Sequence, residues 1–218
     1  MNRKLITACA MVSVILMSTS VATAMTTVDP DAFPPSGTDI STAFWGVELS
    51  AVGGGWGSGT AVLAIAPTSF TEGGDLVFGH SGSNQDVFWG EDSLHFRADF
   101  TSSLATVVSL DFIGNGELNE RPDVGILQAY DAGGNPIPGP NGWAQTGELM
   151  KDDVERLTVS DAGGIAYIIA YGKYHNSVYQ DSIGLDNMEW EAIPAPGAIL
   201  LGSIGIALVG WLRRRRTV

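Results

Sequence analysis

The stretch Leu94-His95-Phe96-Arg97-Ala98-Asp99-Phe100 decides the fold, together with Leu104-Ala105-Thr106-Val107-Val108-Ser109-Leu110-Asp111-Phe112-Ile113 just beyond a short polar turn. In its first half Leu94, Phe96, Ala98 and Phe100 alternate with polar or charged neighbours. A period of two is that of a strand with one face buried. The second half is nearly all apolar, the pattern of a strand inside a packed sheet. Outward along the chain, 125–130 and 165–171 are apolar on both alternating sets and read as further central strands. Segments 61–66, 76–78 and 183–190 supply more candidates. Glycine-rich punctuation separates them at 53–55, 73–74, 133–134 and 163–164. The 28 glycines in 218 residues are roughly twice the usual ~7%. The one segment that could hide a short helix is 147–157. Regularly spaced short strands predict an all-β protein, a β-sandwich. The two Asp-Ala-Gly-Gly stretches at 131–134 and 161–164 read as similar turns, not as a repeat.

The ends follow other rules. Arg3 and Lys4 precede an apolar run from Leu5 to Met17, and Ala22-Thr23-Ala24 closes the segment. That order is a secretory signal peptide over 1–24, cut after Ala24. Near the other end, 198–212 carries no charge and is followed by Arg213, Arg214, Arg215 and Arg216. Counted from Ile193, the apolar stretch reaches the ~20 residues of a bilayer span, and the arginines stay cytoplasmic. Between the ends, 25–36 reads as a linker and 37–191 as the sandwich.

Removing the ends changes the arithmetic. The whole chain has a formal charge of -13 and one cysteine. Cys9 leaves with the signal peptide. The body keeps Arg97, Arg121, Lys151, Arg156 and Lys173, five cations against all 24 carboxylates, hence -19. Such acidity excludes a nucleic-acid partner, which needs a lysine and arginine footprint. A domain of about 150 residues buries an adequate core without disulfides.

The order Pro194-Ala195-Pro196-Gly197, apolar helix, arginine cluster resembles a PEP-CTERM sorting signal over 193–218. The family has Pro-Glu-Pro where this chain has Pro-Ala-Pro. The resemblance implies processing by signal peptidase and transient anchoring in the membrane by the C-terminal helix. An exosortase would then cut near Pro194–Pro196, leaving the body at the cell surface or outside the cell. Four further segments, GTDISTAFWGVELS (37–50), VVSLDFIGNG (107–116), GILQAYDAGGNPI (125–137) and DSIGLDNMEWE (181–191), are similar to the bodies of exported PEP-CTERM proteins. Those bodies resemble jelly-roll sandwiches of the galactose-binding-like and carbohydrate-binding kind. This resemblance implies a polysaccharide partner.

Candidate chemistry is sparse. Asp111, Asp131 and Asp186 sit where strands meet turns, and carboxylates are the ligands calcium takes. By similarity to carbohydrate-binding sandwiches that hold a structural calcium, Glu48 and Asp186 form the best pair, with Asp39 behind them. Trp56 in GGGWGSG and Trp143 in GPNGWAQ lie in glycine-rich loops and are the candidate ligand contacts. Trp45 and Trp190 are assigned to the core. His80, His95 and His175 lack zinc-ligand spacing. GHSGS lacks the G-x-S-x-G spacing of a nucleophile elbow, and no phosphate or dinucleotide fingerprint is present. The sequence therefore points to a non-enzymatic, polysaccharide-associated surface protein. The alternatives are an acidic structural or cation-binding envelope protein and a small carbohydrate-active enzyme.

Overall fold

A computed structural model describes residues 25–53, 61–66, 76–81, 89–90, 94–114, 123–174 and 183–193. The expected signal peptide, span, sorting signal (Pro194–Gly197 and Arg213–Arg216), Trp56 and His175 lie outside the described residues. Among those described, no helix is long and apolar enough to cross a membrane.

The described chain is all-β apart from a 3-10 turn at Pro30–Ala32. Its strands are β1 (Met25–Val28), β2 (Thr38–Asp39), β3 (Val47–Val52), β4 (Val62–Ile65), β5 (Val77–His80) and β6 (His95–Phe100). Then follow β7 (Ala105–Gly114), β8 (Asp123–Tyr130), β9 (Trp143–Gln145), β10 (Val154–Ile165), β11 (Tyr167–Tyr174) and β12 (Ile183–Ala192). They form two antiparallel sheets. One has the order β10-β7-β12-β5-β4-β2 with β1 also on β12, and the other is β3-β6-β11-β8-β9. From β5 onward successive strands mostly change sheet, so few pairings are local in sequence. This is the β-sandwich that the alternation predicted.

The inner faces meet over a continuous core. Phe96, Ala98, Leu127, Ala129, Ile168 and Ala170 come from the five-stranded sheet, and Phe78, Leu110, Phe112, Leu185 and Trp190 from the other. Trp89 lies buried at one end, its indole Nε1 donating to the Phe78 carbonyl at 2.8 Å. The sheets pack closely where Gly125 of β8 faces Phe112 of β7. A Cβ at Gly125 would run into the Phe112 ring.

Two expectations need correction. The 25–36 segment is not a linker: β1 pairs with the C-terminal half of β12, from Met25↔Glu191 to Val28↔Met188. It fills the length of β12 that β5 leaves open, since β5 meets β12 only at Leu185↔Phe78. Val28 is buried, and the compact unit spans Met25–Ile193. Segment 147–157 forms a turn and then the start of β10. Asp153 accepts the Met150 N–H at 2.9 Å, and Asp152 between them has φ of 65°, outside the helical region. Leu157 and Val159 then turn inward at strand spacing.

Candidate functional site

The outer face of the five-stranded sheet is built by the alternation that sends Phe96, Ala98, Ile168 and Ala170 inward. Their neighbours must point out. Strand register sorts these outward residues into rows. One row runs Glu48–Asp99–Tyr167–Tyr130. The next runs Ser50–Arg97–Ile169–Gln128–Trp143 and crosses all five strands. At the usual strand spacing it is about 19 Å long. Beyond it, His95 stacks on Tyr171 with ring centroids 4.4 Å apart.

The centre of this face is a layered stack. Tyr130 and Tyr167 lie nearly parallel with centroids 4.6 Å apart. The Arg97 guanidinium carbon sits 3.9 Å from the Tyr167 centroid. Asp99 holds that guanidinium by two bonds, from Nε at 2.8 Å and from Nη2 at 2.6 Å. The Asp99 hydrogen bond raises the Arg97 pKa further. Desolvation, with Tyr167 beside it, raises the Tyr130 phenol. These side chains are half-buried and packed on one another, which gives a pre-ordered surface at low entropic cost.

Trp143 closes the long row at the rim and is 44% exposed. Its chain neighbour Ala144 packs inward, so strand geometry turns Trp143 outward. Gln128 fixes this rim, its Nε2 donating to the carbonyls of Ile137 at 3.3 Å and Gly142 at 2.9 Å. A side chain at Gly142 would collide with Ile137. The expected ligand residue therefore sits on an open, rigid edge, whereas Arg97, Tyr130, Tyr167 and Tyr171 beside it were not singled out from sequence. Their signal was present: 165–171 is apolar on both sets because one set is core and the other carries outward aromatic rings.

The carboxylate candidates separate. Glu48 points outward from β3 of the five-stranded sheet and Asp186 belongs to β12 of the other. The two do not converge on one ion. Asp131 spends its oxygens on its own turn, accepting from the Gly133 and Asn135 N–H groups at 2.8 Å. The Asn135 bonds hold its pKa below the usual carboxylate range. Asp39 accepts the Ser41 N–H at 2.9 Å. Asp111 pairs with Arg156 at 2.7 Å, and Arg156 also reaches Glu189 at 2.9 Å. Among the described residues, no three His, Cys, Asp or Glu side chains are grouped to hold a metal ion.

Asp186 is the unusual group of this second face. A bulge at Asn187, whose φ is 45°, turns it into a covered position where it is 8% exposed. Asn187 donates to both of its oxygens. Burial, with Asp31, Asp29 and Asp111 adding their charges, pushes its pKa up to about 7. The remaining aromatic assignments divide: Trp190 is in the core at 1% exposure, but Trp45 is 82% exposed. Of the histidines, His80 packs edge-on against Trp89 and His95 belongs to the aromatic face.

No protein-family model matches the chain, and no curated protein matches it. Among solved structures, it is similar to the K2 cleaved adhesin domain of Lys-gingipain at 14% identity. That alignment covers 77% of this chain and 99% of the domain, with a TM-score of 0.42. It is also similar to the Arthrobacter globiformis T6 isomalto-dextranase complexed with panose, at 14% identity over 77% of this chain and 32% of that one, with a TM-score of 0.36. A third likeness is to BiXyn10A CBM1, at 6% identity over 73% of this chain and 100% of that one, with a TM-score of 0.30.

Proposed function

We propose that this is an exported, non-enzymatic surface or extracellular-matrix protein, sorted through its PEP-CTERM-like tail, that associates with polysaccharide. The contact surface is the outer face of the five-stranded sheet. The observation that carries this reading is the row Ser50–Arg97–Ile169–Gln128–Trp143 with the Tyr130–Tyr167 stack beside it. An extended glycan offers alternating apolar C–H faces and hydroxyls. The face offers an indole at its rim, phenol and amide groups along it, and little mobile charge. The test is retention of the full chain on immobilised polysaccharide. Trp143→Ala is expected to lower retention at least about tenfold without changing the melting temperature; unchanged retention removes this face from the reading. Sorting has its own test. Exported protein is expected to end near Pro194–Pro196 by intact-mass measurement, and recovery of the full arginine tail would refute it.

A second reading, an acidic envelope protein that collects divalent cations, is favoured by Asp186. Its carboxyl is held against ionisation by burial and by Asp31, Asp29 and Asp111. A divalent cation gathered on this face relieves that repulsion. Calcium at pH 8 would then raise the melting temperature more than sodium chloride of equal ionic strength does, and equal shifts would exclude it.

A further inference from the structure

We infer that the ligand of the five-stranded face is an uncharged glycan, and that Asp99 sets this preference by keeping the Arg97 guanidinium from acidic sugars. The inference rests on the face reading above. An acidic sugar is recognised best by the paired N–H edge of an arginine, which matches a carboxylate in two parallel bonds. On this face the side-on edge is already taken, since Nε and Nη2 of Arg97 both donate to Asp99, and the guanidinium charge is offset there. The flat side of the guanidinium lies over Tyr167. The N–H groups left over, two on Nη1 and one on Nη2, belong to a guanidinium whose charge Asp99 already offsets, so they can serve a neutral hydroxyl while an anion there gains little as a new ion pair.

The surroundings point the same way. Glu48 stands opposite Asp99 across β3 and β6. A carboxylate or sulfate brought to Arg97 therefore meets Asp99 and has Glu48 beside it. Among the described residues, the other cation on this face, Lys173, is four residues beyond Ile169 on β11, and Ile169 is the residue opposite Arg97. At strand rise that is about 13 Å, longer than the ~8 Å screening length at physiological salt. It cannot compensate an anion at Arg97. The body as a whole, with five cations against 24 carboxylates, repels a polyanion before contact.

The experiment uses the full chain in neutral detergent with EDTA present. It compares retention on immobilised galactomannan and dextran with retention on alginate and polygalacturonate. The wild type is expected to be held by a neutral polymer and not by the acidic ones. Asp99→Asn removes the carboxylate charge that offsets the guanidinium and is expected to raise the ratio of acidic-polymer to neutral-polymer affinity on the order of tenfold, the worth of a charge-assisted bond. Asp99→Ser provides a second variant should Asp99→Asn lower the melting temperature. If the wild type holds acidic polymers as tightly as neutral ones, or neither variant raises the acidic-to-neutral ratio, the charge preference is overturned. Continued dependence on Trp143 would then leave the face reading intact. Failure of every neutral polymer to bind, or binding indifferent to Trp143→Ala, overturns the face reading and this inference together.

Discussion

The two sheets turn outward surfaces of opposite character. The five-stranded sheet shows the stacked Tyr130 and Tyr167, the paired Arg97 and Asp99, and Trp143 at its rim. The seven-stranded sheet shows carboxylates, with Arg156 bridging Asp111 and Glu189 and Asp186 pressed into cover nearby. Their inner surfaces are chemically alike, because one core with one packing requirement constrains both. Each strand thus divides its residues into a set answerable to packing and a set free to differ. The difference between the outer sets is where ligand chemistry can reside.

The largest expected effect tests the shared half of that comparison. Phe112→Ala removes the ring that packs against Gly125 between the sheets and should cost about 3–5 kcal/mol. Urea unfolding followed by tryptophan fluorescence and by far-ultraviolet circular dichroism should still coincide. Two separated transitions would mean that the sheets do not share one core.

The next effect belongs to the acidic face. The Asp186 pKa is raised to about 7 in the fold from an ordinary 3.8. Between those values the folded protein holds a proton that the unfolded chain has released, so stability falls as pH rises through the window and levels off above it. Asp186→Asn removes the titrating group. Relative to wild type it should gain on the order of 2–4 kcal/mol at pH 8 and nothing near pH 3. A gain independent of pH would assign the effect to packing instead of charge. On the aromatic face a double-mutant cycle between Arg97→Gln and Tyr167→Ala should give a coupling of about 0.5–1 kcal/mol. Strict additivity would show that the guanidinium and ring do not act as a unit.

How far the sequence could be read follows from the same division. Strand positions were legible because 94–100 alternates and 104–113 is apolar, and the structure makes them β6 and β7, each one strand in from the edge of its sheet. The site was half legible. Trp143 was visible as an aromatic in a glycine-rich loop, but its neighbours across the sheet depend on register. Tyr130 and Tyr167 lie 37 residues apart and meet only because β8 and β11 pair as they do. The Glu48–Asp186 pairing failed for the same reason, since nothing local in a sequence tells which sheet a strand will join. β1 was missed because its partner, β12, lies at the far end of the chain.

Trp45 marks the smallest effect and the sharpest contrast with Trp190. Both were assigned to the core by residue type, yet one is 82% and the other 1% exposed. Phe44 and Trp45 are adjacent, and Phe44 packs against the core, edge-on to Phe33 at 5.0 Å. Gly46 follows with φ of 84°, and a Cβ there would press on Ser102 and the Trp190 ring. The chain must reverse there without a side chain, which leaves Trp45 no inward direction. Replacing it should therefore change little: Trp45→Ser is expected to alter stability by less than about 0.5 kcal/mol. Gly46→Ala, one residue away, should cost more than 1 kcal/mol or so, because it adds both left-handed strain and a clash with Trp190 and Ser102. Urea midpoints of the two variants decide the matter. A large loss from Trp45→Ser would show that the exposed indole is covered in the intact molecule.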